Sequence, residues 1–276
     1  MDKPSARLLR RRALSPASPE KYDTPVSRSD LPVYKDFKEV LGRYDRKSLA
    51  ALAVLVLSQV CVGFTIRDLI ARNPWMWSDE LLGFTWLAMT LLLMWDIRPR
   101  RDAMLVLVGL AGGLVVEWWG TQTRLWDYFT TERPPPWIIP SWAVAALAID
   151  RLGRMLTPLI PVFGEPKVAY WGVFSTFILA ALLFMRPAFG HASTWVVLCI
   201  MIFALLWRPL PPRDLCIFFG GSLLGFLLEY WGTSRHCWTY YTRQVPPPIT
   251  VLAHGYASVI FSRTIQLLED AAAKLI

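Results

Sequence analysis

One unusual pattern occurs twice in the chain, at a constant offset of 112 residues. Glu117-Trp118-Trp119-Gly120-Thr121, followed by Trp126, Tyr128, Thr130 and Pro134-Pro135-Pro136, recurs as Glu229-Tyr230-Trp231-Gly232-Thr233, then Trp238, Tyr240, Thr242 and Pro246-Pro247-Pro248. The correspondence reaches outward without a gap to Arg101/Arg213, Asp102/Asp214, Gly109/Gly221, Gly113/Gly225 and Arg151/Arg263. The shared letters are mostly Glu, Trp, Gly, Thr, Tyr and Pro, while the apolar positions between them drift among Leu, Val and Phe. A fixed period with chemistry-bearing letters held in place reads as a duplicated folding unit. Two copies of one architecture are therefore expected.

The medium for that architecture follows from composition. Of 276 residues 54% are hydrophobic and 14 are Trp, the mean hydropathy is +0.37, and several apolar runs approach the length needed to cross about 30 Å of hydrocarbon. The runs are residues 49–65, 81–95, 103–119, 140–149, 168–185, 194–207, 215–231 and 249–261. The expected fold is an all-α polytopic membrane protein of about eight transmembrane helices, arranged as a tandem parallel 4+4 repeat, with the fourth and eighth spans short enough to be re-entrant. An even number of spans per unit sends both copies into the membrane in the same sense. The domain reading is a disordered basic cytoplasmic tail over 1–47, a first four-helix membrane repeat over 48–160 and a second over 161–276. A short interfacial helix near Tyr34–Tyr44 is an alternative for part of the tail.

Lys and Arg set the orientation, because cytoplasmic flanks retain them. Twelve of the 29 lie in residues 1–47, and Arg98–Arg101, Arg151–Lys167, Arg208, Arg213 and the segment after the last span hold most of the others. Both termini are then expected inside, at a cytoplasmic membrane of bacterial type, and both Glu-x-Trp-Gly-Thr segments outside. The net charge of +8 is on this reading a topology signal. It does not point to nucleic acid, since the dense cluster Arg10–Arg12 lacks a folded scaffold. Four scattered Cys and three scattered His show no disulfide framework or metal spacing, so no metal and no cofactor is expected.

Within the third and seventh spans, Gly109, Gly113, Glu117 and Thr121, and likewise Gly221, Gly225, Glu229 and Thr233, are four residues apart and share one helix face. The lower part is a small-xxx-small surface that admits a neighbouring backbone. If the two glycine faces meet each other, Glu117 and Glu229 converge; the alternative is that each glycine face serves a helix of its own repeat. A carboxyl near hydrocarbon is costly and usually faces a cavity or a partner, and two that share a proton can work as general acid and base. The structural alternative is local ion pairing, Glu117 with Arg124 or Arg133 and Glu229 with Arg235 or Arg243. Trp119, Thr121, Trp126 and Tyr128, with Trp231, Thr233, Trp238 and Tyr240, are the candidate substrate-binding residues, their rings suited to a cationic intermediate; an interfacial aromatic belt explains the same rings. The triple prolines stiffen the two outer loops, which are placed to roof one shared cavity.

From Glu117 to Trp142 the order Glu-x-x-Gly, Thr121, Trp126 to Tyr128 and Ile139-Pro140-Ser141-Trp142 resembles the membrane carotenoid 1,2-hydratases. Where that family has a Gly-Pro-Phe-Gly type turn, this chain has Arg124-Leu125-Trp126-Asp127. The resemblance implies a polytopic enzyme that adds water across a terminal double bond of an acyclic carotenoid, with Glu117 as the acidic residue and Tyr128 as the loop tyrosine. The function expected is Glu-mediated proton transfer to an apolar isoprenoid, carotenoid or membrane lipid, catalysed by Glu117 and Glu229. A proton-coupled lipid or small-molecule carrier and a non-catalytic assembly partner are the alternatives, and the oligomeric state is left open.

Overall fold

The computed structural model describes residues 44–71, 75–156 and 166–275. Among these are eight α-helices: α1 (Arg46–Ala71), α2 (Trp77–Met94), α3 (Pro99–Gln122), α4 (Ile139–Leu156), α5 (Pro166–Met185), α6 (Ala192–Leu206), α7 (Pro211–Ser234) and α8 (Pro248–Leu275). Two three-residue strands, β1 (Trp126–Tyr128) and β2 (Trp238–Tyr240), follow α3 and α7. The segment expected as a disordered tail lies outside the described residues up to position 43, and its last residues already belong to α1. Segments Arg46–Leu69, Pro99–Gln122, Pro166–Ala188 and Pro211–Ser234 are long and apolar enough to cross a membrane; the protein is an integral membrane protein. The fourth and eighth apolar runs are parts of continuous helices longer than the runs themselves, α4 and α8.

Helices α3 and α7 begin alike, for the same local reasons. Each has Pro in its first turn, where the missing N–H costs nothing. Each also has an Asp that reaches back to the preceding backbone: Asp102 to Arg98 N–H at 3.1 Å and Asp214 to Leu210 N–H at 2.8 Å. The same Asp residues accept from buried arginines, Asp102 from Arg151 at 2.7 Å and Asp214 from Arg263, and these arginines also donate to the Trp95 and Trp207 carbonyls. With Arg101 bridging Asp150 and Glu269, this end of the bundle is tied by ion pairs. The Asp residues therefore do more than start helices.

Both helices end alike too. Leu125 N–H bonds the Gly120 carbonyl at 3.0 Å and Arg124 N–H the Thr121 carbonyl at 3.3 Å; Cys237 to Gly232 and His236 to Thr233 repeat this at 2.8 and 3.1 Å. This is the Schellman closure, with Arg124 and His236 at the left-handed position (φ 57° and 55°) and Leu125 and Cys237 fully buried behind it.

The expected pairing of α3 with α7 through their glycines is not what forms. Each glycine face receives the helix that follows it in its own half. A Cβ on Gly109 would lie 2.8 Å from the Ala143 Cα and one on Gly113 2.4 Å from the Trp142 Cβ, so α4 packs there; on Gly221 and Gly225 the neighbours are Gly255, Ser258 and His254 of α8. Consecutive helices close a smaller loop, at lower entropic cost, than helices from different halves would, and small residues serve whichever backbone arrives. Across the halves, α4 packs on α7 and α8, and α3 on α8. The two outer segments meet as an antiparallel ribbon, with Trp126 opposite Tyr240, Asp127 opposite Thr239 and Tyr128 opposite Trp238.

Candidate functional site

Glu117 and Glu229 sit in the last turns of α3 and α7, both 4% exposed. By the α-helical rise of 1.5 Å per residue, Glu117 is about 22 Å along α3 from Asp102 and its ion pairs. Strand alternation turns Trp126 and Tyr128 to one face of the ribbon, along with Trp238 and Tyr240, and this face looks at the acids. Glu117 Oε2 accepts from Trp126 Nε1–H at 3.1 Å and from the Tyr128 hydroxyl at 2.8 Å, and Oε1 accepts from Trp142 Nε1–H at 2.9 Å. Glu229 Oε2 accepts from Trp238 Nε1–H at 3.0 Å, while Oε1 meets the Tyr240 hydroxyl at 2.8 Å and His254 Nε2 at 2.9 Å.

Glycine permits this geometry. A Cβ on Gly120 would fall 1.8 Å from the Trp126 ring and one on Gly232 2.0 Å from the Trp238 ring. Each indole lies across the bare backbone of the helix end, which lets its N–H reach a Glu three residues earlier.

The ion pairs offered as the structural alternative do not occur: among the described residues neither Glu contacts an Arg or Lys. Arg133 lies 3.3 Å from Asp127 on the outer face of the ribbon. Arg235 is buried against Asp79 of α2. Aromatic N–H and O–H donors replace the expected cations. Burial, with the Glu charges beside them, pushes the Tyr128 and Tyr240 phenols well above their ordinary value, so both remain protonated donors.

Both carboxyls line one cavity of about 610 Å³ beneath the ribbon. Its wall also includes Trp119, Trp126, Tyr128, Trp231, Trp238 and Tyr240, and below them it is apolar. Thr121 and Thr233 are not in the wall: their hydroxyls bond back to the Glu117 and Glu229 carbonyls at 2.7 Å each. Trp142 and His254 are in the wall, stacked on each other with centroids 5.2 Å apart; sequence reasoning gave them no site role. Their signals were the place of Trp142 at the end of the Ile139-Pro140-Ser141-Trp142 stretch and a mismatch within the repeat, Trp in one copy and His in the other. Among the described residues no three His, Cys, Asp or Glu converge as a metal site would require.

The cavity has an open side. Leu107 and Val115 of α3 and Ile200 of α6 line it, yet are 67%, 47% and 43% exposed. Helices α3 and α6 stand apart there and are linked at the Glu end by Trp119 Nε1–H donating to Thr194 Oγ1 at 3.0 Å. On the opposite side α2 packs against α7, and the lining residues Ile66 and Leu82 are 2% and 8% exposed. Comparison of the chain with protein-family models, curated proteins and solved structures found no match.

Proposed function

We propose that this protein is a membrane enzyme that transfers a proton to an apolar isoprenoid, carotenoid or other lipid, in a hydration or isomerisation reaction. The observation that carries this reading is the pair of buried carboxyls, with no Arg or Lys partner among the described residues, facing one apolar cavity ringed by Trp and Tyr. Buried acids are ordinarily paired with cations; a pair left with neutral donors is suited to moving protons and to stabilising positive charge as it develops. The mouth between α3 and α6 faces the hydrocarbon of a surrounding bilayer and suits a substrate that arrives sideways from the lipid. The opposite end of the bundle is tied, among the described residues, by the buried Asp102–Arg151 and Asp214–Arg263 pairs, which favours an enzyme over a carrier.

In this reading the eight helices cross the membrane as two parallel four-helix units, termini in the cytoplasm and the ribbon on the outer side of a bacterial inner membrane. The matching limits of α3 and α7 and the self-complementary ribbon support that arrangement. In hydration, one Glu protonates a terminal double bond, the aromatic wall shelters the resulting cation, and a water held at the second Glu adds to it. The test is lipid and pigment profiling of a deletion strain complemented with the wild-type chain, Glu117→Gln or Glu229→Gln. An unsaturated precursor should accumulate in the deletion strain and be consumed only on complementation with the wild type. Full restoration by both Gln variants would sink the proposal.

A further inference from the structure

The two acids differ in one partner. Trp142 and His254 occupy corresponding places, and each lies 2.9 Å from its own Glu. An indole N–H can only donate, so each oxygen of Glu117 faces a donor-only group, Trp126 on one and Trp142 on the other, and of its three partners only the Tyr128 hydroxyl is able to accept. Imidazole is different: Nε2 donates in one tautomer and accepts in the other. The Glu229–His254 contact is satisfied either by a carboxyl proton given to Nε2 or by an Nε2–H given to the carboxylate. The Tyr240 hydroxyl on the same oxygen is able to donate or to accept and tolerates both states.

We propose that Glu229 and His254 hold one exchangeable proton between them and form the proton-delivering couple of the cavity, while Glu117 stays a carboxylate throughout. His254 faces Glu229 on α7, Tyr240 on β2 through that Glu, and the Trp142 ring on α4, behind which lie Glu117 and Tyr128. No Lys or Arg pairs with either carboxyl among the described residues, so the proton is the charge that this couple exchanges.

The chemical use of the couple rests on the proposed reaction. The proton leaves the Glu229 carboxyl for one carbon of the double bond, whose π electrons form the new C–H bond, and the other carbon becomes cationic. Glu117, a fixed negative charge across the cavity, stabilises that cation. A carboxylate has about four acceptor sites, and three of those on Glu117 are filled. The fourth orients the water that adds to the cation; the water's surplus proton returns to Glu229, and His254, as a positioning residue, stores or releases it. Alkene and water have become alcohol, and the couple ends as it began.

The chain has three histidines, and His191 and His236 are exposed, so His191→Gln with His236→Gln leaves His254 as the sole imidazole signal. Nitrogen NMR of the labelled full chain in lipid nanodiscs, titrated with acid and base, reads the couple without any substrate. Glu229→Gln should change the tautomer and protonation signature of the His254 ring nitrogens across the series, because the group facing Nε2 is replaced, and Glu117→Gln should leave that signature nearly as it is. Equal responses to both variants, or to neither, would overturn the couple. A second arm uses His254→Trp, which copies the residue that the first half carries at this place and keeps a donor on Glu229. Complementation of the deletion strain should fall by a hundredfold or more, in the range of lost acid–base catalysis, and wild-type complementation would overturn the role of His254. A normal titration response together with full complementation by Glu229→Gln would retire the proposed reaction but not the couple.

Discussion

Trp119 and Trp231 are corresponding residues, each on the rim of the same cavity, and their partners differ. Trp231 Nε1–H donates to Asp79 of α2 at 3.0 Å, and Asp79 is itself paired with buried Arg235. Trp119 donates to the neutral hydroxyl of Thr194 on α6. At the positions equivalent to Asp79 and Arg235 stand His191 and Thr123, so the ionic latch exists on one side only. Helix α2 is clamped to α7 and closes the cavity, whereas α6 stands off α3 and leaves a mouth. Burial records the same contrast: 67% of the most apolar window of α7 is buried, against 39% for α3. The same repeated Trp thus stands beside a sealed wall or a doorway according to what the neighbouring helix carries.

Asp79→Ala should be the most damaging change on either side, since it removes the buried carboxylate that Arg235 and Trp231 share, at a cost of about 3 to 5 kcal/mol. A large fall in melting temperature in detergent is expected; an unchanged melt would mean that the latch does not hold α2 in place.

A smaller contrast is expected between the acids themselves. An amide is cheaper to bury than a charge, and on that ground alone both Gln variants would fold equally well. The donors around each carboxyl argue otherwise. With Trp N–H groups on both oxygens of Glu117, the NH2 of Glu117→Gln faces a donor in either orientation, costing about 1 to 3 kcal/mol. In Glu229→Gln the NH2 finds acceptors in His254 Nε2 and the Tyr240 oxygen, and the loss should be within about 1 kcal/mol. Paired melting curves decide the matter, and equal losses would contradict the donor-only role of Trp142.

The mildest test loosens the open side. Thr194→Val removes the acceptor of Trp119 and should cost about 1 kcal/mol while freeing α6 to swing outward. In a chain with Cys61→Ala and Cys199→Ala, Leu107→Cys should then react faster with an apolar thiol reagent than it does when Thr194 is present. Leu82→Cys, on the sealed side, should stay slow in both backgrounds. Equal reactivity at the two positions would remove the distinction between doorway and wall.

The repeated letters Glu117/Glu229, Trp126/Trp238 and Tyr128/Tyr240 led to the cavity because their spacing is local: a Glu, a helix end and a strand lie within a dozen residues of one another. A glycine face, by contrast, says that a backbone comes close without saying which one, and so packing on a helix of the same repeat, which α4 and α8 supply, stood only as the alternative to pairing of α3 with α7. The Asp79–Arg235 pair was less legible still, since its members are 156 residues apart and no spacing rule connects them. The arginines near the acids suggested ion pairs because charge was weighed without geometry. The Schellman closures turn Arg124 and His236 outward, where both are exposed, and leave the aromatic N–H groups to meet the carboxyls.

The ribbon has a further consequence. Trp126 donates to Glu117 while Tyr240, opposite it, bonds Glu229, and the pair Tyr128 and Trp238 does the same in reverse. Each rung therefore lends one ring to each acid, and the strands act as a yoke: neither carboxyl can shift without pulling on the other. With the offset of 112 removed, position 126 faces 128 and 128 faces 126, the register of two like strands about a two-fold axis. A chain carrying only one such strand would have no rung of its own, and would acquire its yoke only by borrowing the strand of a second copy.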